Sequence, residues 1–405
     1  MTLFTSLLLA YLSIATDSYL VLAEPIAPSS IVELDCGPGI VCINGYGAVL
    51  PFPFNRSDGG EKSTYGDTNA TNVPGFDKIN DYHFVSFDDK FKRLLGGDAT
   101  YEFMFTVADV THEVNTPNCT QGPVWIKDRN WILFTQVAEY WQYRIDLNYH
   151  PPTLQQYSAS PPIYSADGGS FHEGLAYFVS PGGGGQVPSV VTYNASSNEA
   201  TTILNNYRGV AFNGLDDIVV DPNGNVFFTD PWFGYLDDFN PTPPVLTPGV
   251  WFFNTSSGSS KLLDGTLQEP NGIVASPDWS TVYVSDTGVN SGRPPTFHPT
   301  GPRTIYAYDT DLSTGSLLNK RTFFINDERD PDGMKIDVLG NLWTASGRGA
   351  DVIDPAGNLI GKVQTNFTVT NLVFTGDNLR DLWLVGLGGV AKVHLAERGN
   401  RITKI

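Results

Sequence analysis

Basic residues are scarce in this sequence. Its 405 residues contain 24 Lys and Arg against 43 Asp and Glu, so the formal net charge is −19. Because a phosphate backbone is bound mainly by Lys and Arg, this balance excludes a nucleic-acid partner and argues against attraction to anionic lipid. The three cysteines form no Cys/His cluster with zinc spacing. No Gly-X-Ser-X-Gly elbow is present, so a serine-hydrolase mechanism has no support.

The N-terminal segment has the pattern of an export signal. An apolar run over residues 3–15 is followed by the small-residue pattern that ends at Ala23, which predicts a signal peptide over residues 1–23. The segment lacks a basic start, and the alternative is an N-terminal membrane anchor. No later run approaches the roughly 18 apolar residues of a transmembrane helix, so we expect no membrane contact after signal removal.

Asparagine sequons support export. Six occur, at Asn55, Asn69, Asn118, Asn194, Asn254 and Asn366. Each marks an acceptor for N-glycosylation in a secreted protein. Together with the signal peptide they predict a glycoprotein that is secreted or retained in the secretory pathway, and its glycans and acidic surface are compatible with a monomer.

The cysteines allow more than one pairing. In an oxidising compartment Cys36 and Cys42 could close a short loop around Gly37-Pro38-Gly39. Cys119 is then unpaired, or it takes one of the other two. No Cys-His signature surrounds Cys119, which argues against a thiol nucleophile.

Beyond about residue 110 a short phrase recurs: a turn rich in Asp, Asn, Gly or Pro, then an alternating apolar strand. Its copies lie at residues 127–136, 171–180, 221–230, 276–286, 337–346 and 377–386. Recurrence every 40 to 60 residues is typical of propeller blades, each a four-stranded sheet. The sequence therefore predicts an all-β fold, a six-bladed β-propeller over 111–405 with an N-terminal extension over 24–110 packed on it. A β-sandwich with long loops is the alternative.

Oxygen-bearing side chains open several of these repeats. They are Gln121, Asp216, Asn271 and Asp332, with Asp167 as a fifth. Propeller loops converge on a central channel, and a ring of amide and carboxylate oxygens suits a hard cation such as Ca²⁺. Asn-Gly and Asp-Gly are also ordinary turn formers, but two similar Pro-Asx-Gly segments in register with the repeat favour a site.

The ordered set of segments resembles the senescence-marker-protein/gluconolactonase family, especially its secreted fungal lactonohydrolases. The segments start at Leu204 (LNNY), Phe212 (FN), Pro270 (PNGI), Val284 (VSDTG), Pro331 (PDGM) and Asn358 (NLIGK). The resemblance spans about residues 81–395. It implies a six-bladed propeller, one catalytic divalent ion at the channel mouth, and hydrolysis of small lactones.

Three positions depart from the family pattern. The family usually has Glu at Gln121 and Asn at Asp216 and Asp167, whereas Asn271 and Asp332 match it. The core quartet keeps two carboxylates, Asp216 and Asp332, so the formal charge that metal binding requires is preserved. Glu113 would replace the missing Glu only through a shifted loop.

Lactonase chemistry would use an ion as a Lewis acid on the lactone carbonyl. Asp332 would take the proton from attacking water or attack directly, and His172 would shuttle protons at the same mouth unless it is an exposed turn residue. Asp217 is either a partner of Asp216 or a surface acid. An aromatic wall for the substrate, or else blade-packing core, is predicted at Trp125, Trp232, Phe233 and Tyr235.

The sequence is compatible with three functions. The first is a secreted metal-dependent lactonase acting on a small lactone. The second is a non-hydrolytic cyclase of fungal secondary metabolism, of hetero-Diels–Alderase type, acting on a polycyclic metabolite, which the Gln at position 121 favours. The third is a binding propeller without catalysis. Metal removal discriminates between them, because it should abolish only the lactonase.

Overall fold

The computed structural model describes residues 36–43, 76–106, 120–326 and 329–400. Its N-terminal part contains a 3₁₀ turn at Phe76–Asp81 and four regular elements. These are β1 (Ile40–Cys42), β2 (Phe84–Ser86), α1 (Asp89–Leu95) and β3 (Thr100–Thr106). A disulfide joins Cys36 to Cys42, with 5.9 Å between the two Cα atoms. The predicted signal peptide and Cys119 lie outside the described residues.

Six sheets, in which all strand pairs except β1–β2 are antiparallel, follow one another along the chain. Blade one consists of β4 (Thr120–Ile126), β5 (Trp131–Gln136), β6 (Gln142–Asp146) and β7 (Thr153–Tyr157). Blade two consists of β8 (Gly169–His172), β9 (Leu175–Ser180), β10 (Ser189–Asn194) and β11 (Glu199–Leu204). Blade three consists of β12 (Ile218–Val220), β13 (Val226–Asp230), β14 (Gly249–Asn254) and β15 (Ser259–Asp264). A 3₁₀ turn lies at Lys127–Arg129, and the short helix α2 (Phe233–Leu236) follows β13.

Blades four to six repeat the pattern. Blade four consists of β16 (Pro270–Ala275), β17 (Thr281–Asp286), β20 (Thr304–Asp311) and β21 (Ser316–Ile325), and a hairpin of β18 (Asn290–Ser291) and β19 (Thr296–Phe297) is inserted between β17 and β20. Blade five contains β22 (Pro331–Ile336), β23 (Leu342–Ser346), β24 (Gly349–Ile353) and β25 (Leu359–Gln364). Blade six contains β26 (Thr368–Thr375), β27 (Asp381–Leu387) and β28 (Gly389–His394). The prediction of an all-β six-bladed propeller is confirmed.

The N-terminal part completes two blades. Strand β3 pairs antiparallel with β28 and is the fourth strand of blade six, so the first and last parts of the chain close the propeller in one sheet. Strand β2 pairs with β25, and β1 pairs with β2, which widens blade five to six strands. The side chain of Phe91 in α1 occupies the space above Gly361, where a Cβ would lie 2.1 Å from the ring. These residues are therefore integral to blades five and six.

Hairpin turns are held by a repeated Asp-X-X-Gly-Asn phrase. In blade three, Asp221 Oδ1 accepts the N–H groups of Asn223 and Asn225, both at 2.8 Å. Its other oxygen accepts the side-chain amide of Asn225 at 3.0 Å. Asp337 and Asp354 make the same contacts in their turns. The Asp carboxylate thus satisfies backbone donors that the turn leaves unpaired, which explains the recurring phrase in the sequence.

The hydrophobic core lies between the blades. Equivalent positions of the second strands carry Leu133, Tyr177, Phe227, Tyr283, Trp343 and Trp383, all buried against neighbouring sheets. Successive clusters join blade one to two, two to three, three to four and four to five, and a large cluster joins five, six and one. Packing on both faces of every sheet fixes the blades around a central channel.

Candidate functional site

One residue in each blade occupies the same position at the start of the innermost strand. We call these the ring residues: Gln121, Asp167, Asp216, Asn271, Asp332 and Thr370. The equivalence follows from strand register, because Ile218, Ile273 and Met334 pair alike with their second strands and the ring residue lies two positions earlier in each case. The register of the other three blades agrees. The five predicted metal-site residues are therefore brought to one end of the channel.

Glycines let these strand ends approach closely. A Cβ on Gly122 would lie 1.7 Å from the carbonyl oxygen of Asp167, and one on Gly272 would lie 2.3 Å from that of Asp332. At Gly168 the space is filled by the Asp217 carboxylate instead. Each glycine follows a ring residue, so the X-Gly pairs in the sequence are required by channel width as well as by turn geometry.

Gly272→Ala is expected to destabilise the protein by about 1–3 kcal/mol, because the added methyl overlaps the backbone of the next blade. Gly97→Ala is the matched control, since it adds the same methyl in open space and neither glycine has a positive φ. Thermal unfolding of the two variants checks this. Equal melting temperatures would contradict the close approach.

Second strands anchor the loops that carry the ring. Asp286, at the end of β17, accepts the N–H groups of Gln268 and Glu269 at 3.0 Å each. Asp230, at the end of β13, accepts those of Asn213 and Gly214 at 2.9 and 2.8 Å. Thr229 Oγ1 also donates across blades to the carbonyl of Asn271 at 2.7 Å. The ring is therefore held by short, buried hydrogen bonds, which preorganises it.

Carboxyl groups crowd the ring. Burial raises the pKa of Asp332 to about 8, and the nearby Asp330 carboxylate adds to the shift. Burial also raises the pKa of Asp167 well above its ordinary value, with Asp332 as the strongest neighbouring charge. Burial raises the pKa of Asp216 in the same way, and Asp167 and Asp332 contribute. The Asp332 charge raises the pKa values of both other acids, so the three carboxyls repel when ionised, and a bound cation would relieve that repulsion.

Two buried amide oxygens in the ring have no partner among the described residues. They are Oε1 of Gln121 and Oδ1 of Asn271. The Gln121 amide also hydrogen-bonds the Asp332 carboxyl, which lowers the pKa of that acid slightly against the effect of burial. A buried acceptor without a donor is costly. Oxygens left unpaired beside three carboxyls suit a hard cation.

The donor set fits Ca²⁺ by its chemistry. Five ring side chains offer carboxylate and amide oxygens, and Ca²⁺ takes 6–8 oxygen ligands with carboxylates bound by one or both oxygens. Within the described part of the chain no three His, Cys, Asp or Glu side chains are drawn together into a ready cluster. Asp167, Asp216 and Asp332 are therefore not drawn together as a ready metal site, and the fit to Ca²⁺ rests on the chemistry of the five donors. The sixth ring residue, Thr370, donates to the Thr120 carbonyl at 2.6 Å and holds the strands together.

Glu269 is a site residue that was not predicted from the sequence. Burial raises its pKa to about 8, and its Oε2 accepts the N–H of Trp232 at 2.8 Å. Its position, two residues before Asn271, was the available signal. Trp232 is partly exposed on the loop after β13, with Phe233 and Tyr235 in the adjacent helix α2. These aromatic residues lie on the ring side of blade three.

Other predicted residues lie elsewhere. His172 is the last residue of β8, five residues beyond Asp167, so it stands roughly 16 Å along the strand from the ring at about 3.3 Å per residue. It is buried beside Tyr177. The structure therefore does not bring His172 to the ring. Trp125 lines a cavity at that opposite end of the channel. Asp217 is buried, and its two oxygens accept the N–H groups of Ile218 and Ile273.

Of the predicted glycosylation sites, Asn194 and Asn254 begin surface turns and Asn366 is exposed. Asn55, Asn69, Asn118 and the alternative ligand Glu113 lie outside the described residues.

The SMP-30/gluconolactonase/LRE-like region matches residues 119–387. The chain belongs to this family. Lactonohydrolase oryL of Aspergillus oryzae is 35% identical to it over 385 residues, which cover 90% of this chain and 86% of that relative. Lactone hydrolysis is thus the activity for which its named relatives are known, and their substrates are small-molecule lactones.

Solved structures of the family share the fold. A gluconolactonase from Xanthomonas campestris superposes with a TM-score of 0.63 at 21% identity, covering 76% of this chain and 94% of that one. A calcium-binding regucalcin from Agrobacterium tumefaciens gives a TM-score of 0.55 at 16% identity, covering 71% and 93%. Among the described residues, no helix is long and apolar enough to cross a membrane.

Proposed function

We propose that this protein is a secreted, metal-dependent lactonase that opens a small lactone ring. The observation that carries the proposal is the ring itself: three mutually repelling carboxyls and two unpartnered amide oxygens at one end of the channel. The lactonohydrolase and gluconolactonase relatives support the reaction class.

The residues that would hold the ion are Gln121, Asp167, Asp216, Asn271 and Asp332. Ca²⁺ suits their all-oxygen chemistry, and the regucalcin of the same fold is described as a calcium-binding protein. When bound, such an ion supplies Lewis-acid polarisation of the lactone carbonyl. Relative to the family pattern, the carboxylate lost at Gln121 is compensated by those at Asp167 and Asp216.

Asp332 is the proton acceptor in this proposal. Its carboxylate takes a proton from water as the water oxygen bonds to the lactone carbonyl carbon. The ring C–O bond then breaks, and the proton moves from Asp332 to the departing alkoxide, which leaves a hydroxy acid. The Gln121 amide, hydrogen-bonded to the same carboxyl, orients it. Glu269 and the aromatic residues near Trp232 would border the substrate on blade three.

The experiment is performed on the purified, glycosylated protein. Bound metal is measured by elemental analysis, and acid release from a panel of aldonolactones is followed with and without chelator. We expect about one Ca²⁺ per chain, acid release that stops with EDTA, and recovery when Ca²⁺ is restored. A protein that retains no metal and opens no lactone would contradict the proposal and favour the ring-closing alternative.

Secretion is part of the proposal and has its own test. Expression of the full chain in a fungal host should yield extracellular protein that begins at residue 24 and loses mass with an N-glycosidase. Protein that stays in the cells with residues 1–23 intact would contradict it.

A further inference from the structure

A second cavity opens at the opposite end of the channel from the ring. Its volume is about 350 Å³, which is at the lower end of the range for small-molecule sites. Its walls are mostly apolar and include Val124, Ile218, Ile273, Met334 and Val373. None of the ring residues borders it, so it is distinct from the proposed active site.

One cation interrupts these apolar walls. Strand register places Val124, Ser170, Val219, Val274, Lys335 and Val373 at equivalent positions of the six blades. Four blades carry Val there and one carries Ser, whereas blade five carries Lys335. A lysine in a band of valines is costly, because the ammonium loses water without gaining a counter-charge. The repeat therefore departs from its own pattern at one place inside the cavity.

Lys335 has few partners. Its Nζ donates to the carbonyl of Met334 at 3.1 Å, and it makes no ion pair among the described residues. The buried Asp217 acts on it only at a distance, and both oxygens of that acid already accept backbone N–H groups. Burial lowers the pKa of the Lys335 ammonium. An anion in the cavity would reverse that cost.

A second nitrogen donor lies beside Lys335. Asn400 borders the cavity, and its backbone N–H donates to the carbonyl of Ile336, the next residue after Lys335, at 2.9 Å. The side-chain Nδ2 of Asn400 is buried and has no hydrogen-bond partner in the described structure. Lys335 and Asn400 therefore both border the cavity, and neither side-chain nitrogen is paired with an acid among the described residues.

We propose that this second cavity binds a small monocarboxylate with an apolar body. Its carboxylate would bind Lys335 and Asn400, and its chain would pack against the valines. Two nitrogen donors match the two oxygens of one carboxylate. The apolar walls and the cavity volume suit a short aliphatic or aromatic acid. A doubly charged or sugar-like anion would leave polar groups unpaired on these walls. At the rim, the positive charge of Lys127 balances only one of the two negative charges of the exposed acids Asp128 and Glu173. The remaining negative charge repels a highly charged anion.

The test uses hexanoate and the intact, purified protein. Calorimetry should detect hexanoate binding, and uncharged hexanamide should bind at least about tenfold more weakly, because it cannot accept a charge-assisted hydrogen bond from the ammonium. Lys335→Met should lose a similar factor, whereas Lys335→Arg should keep most of the affinity. Lys127→Met removes a lysine at the rim of the same cavity and is the matched control, expected within about twofold of the unmodified protein.

Crystals grown with 6-bromohexanoate provide the location, since anomalous scattering from bromine marks the end of the chain. Bromine density within the cavity is expected. Absence of hexanoate binding at millimolar concentration, equal binding to the Lys335→Met protein, or density only outside the cavity would each overturn the proposal. None of these results depends on lactone hydrolysis, so this proposal can fail while the lactonase proposal stands.

Discussion

Asp332→Asn is expected to lower kcat/KM for lactone opening by roughly 10²–10⁴-fold, which is the usual contribution of a positioned proton acceptor. The amide keeps the shape of the side chain but cannot accept the proton, and it removes one negative charge from the ring. Because burial raises the pKa of the Asp332 carboxyl to about 8, its ionised form is costly without a cation. The metal-free variant should therefore be as stable as the original protein, or more stable, at pH 8.

Asp309→Asn is the control for this experiment. Asp309 is a half-exposed acid on the outer part of blade four, where it pairs with Arg321, and its replacement should leave kcat/KM within about twofold. Initial rates across a lactone panel and melting temperatures of both variants separate chemistry from folding. Undiminished turnover by the Asp332→Asn enzyme would remove Asp332 from the mechanism.

The propeller could be predicted because its repeating motif depends on hydrogen bonds between residues that are close in the sequence. Asp221 and Asp337 accept backbone donors within their own hairpins, so the same turn phrase is needed wherever that hairpin occurs. Asp230 and Asp286 close the second strands by binding the loops that carry the ring. Each of these contacts lies within about 20 residues of sequence, and a reader of the sequence sees it as a recurring motif.

The ring was predicted for five blades and missed in the sixth. Blade six has Thr370-Asn371 where the other blades have an amide or carboxyl side chain followed by glycine or aspartate. The Asn371 side chain fills the space over Gly333, so the polar group moves one position along the strand. Because the amide side chain of blade six lies one position later than in the other blades, Thr370 can be recognised as a ring residue only when the strand register is known.

Long-range pairing and side-chain direction could not be predicted. Strand β3 belongs to blade six because it pairs with β28, almost 300 residues away. The sequence of β3 alone does not indicate which strand it pairs with. His172 follows an attractive Asp-Gly-Gly segment, yet the length of β8 carries it to the far end of the channel. The equivalence of Lys335 to the valines of other blades can be recognised only when the strand register is known.

The stability of the metal-free protein is expected to fall as pH rises from about 4 to 8, because of the ring carboxyls. Their pKa values are raised in the folded state, so the folded protein binds more protons than the unfolded chain in this interval. This contribution is fully present below the unfolded pKa near 4 and is lost as pH rises through the folded pKa, about 8 for Asp332. Melting curves in EDTA, with Asp332→Asn as the reference, isolate it.

Added Ca²⁺ should counter that loss. At pH 8 the ring carboxyls hold fewer protons than at pH 5, so they are more available to the cation. A ligand at a thousandfold excess over its Kd stabilises a protein by about 4 kcal/mol. At pH 5 protons compete for the same oxygens, so the rise in Tm should be smaller. Lys335→Met, at the other end of the channel, should retain the full Ca²⁺ effect, whereas Asp332→Asn should lose most of it. A Tm increase that is equal at both pH values, or equal in both variants, would place the cation outside the ring.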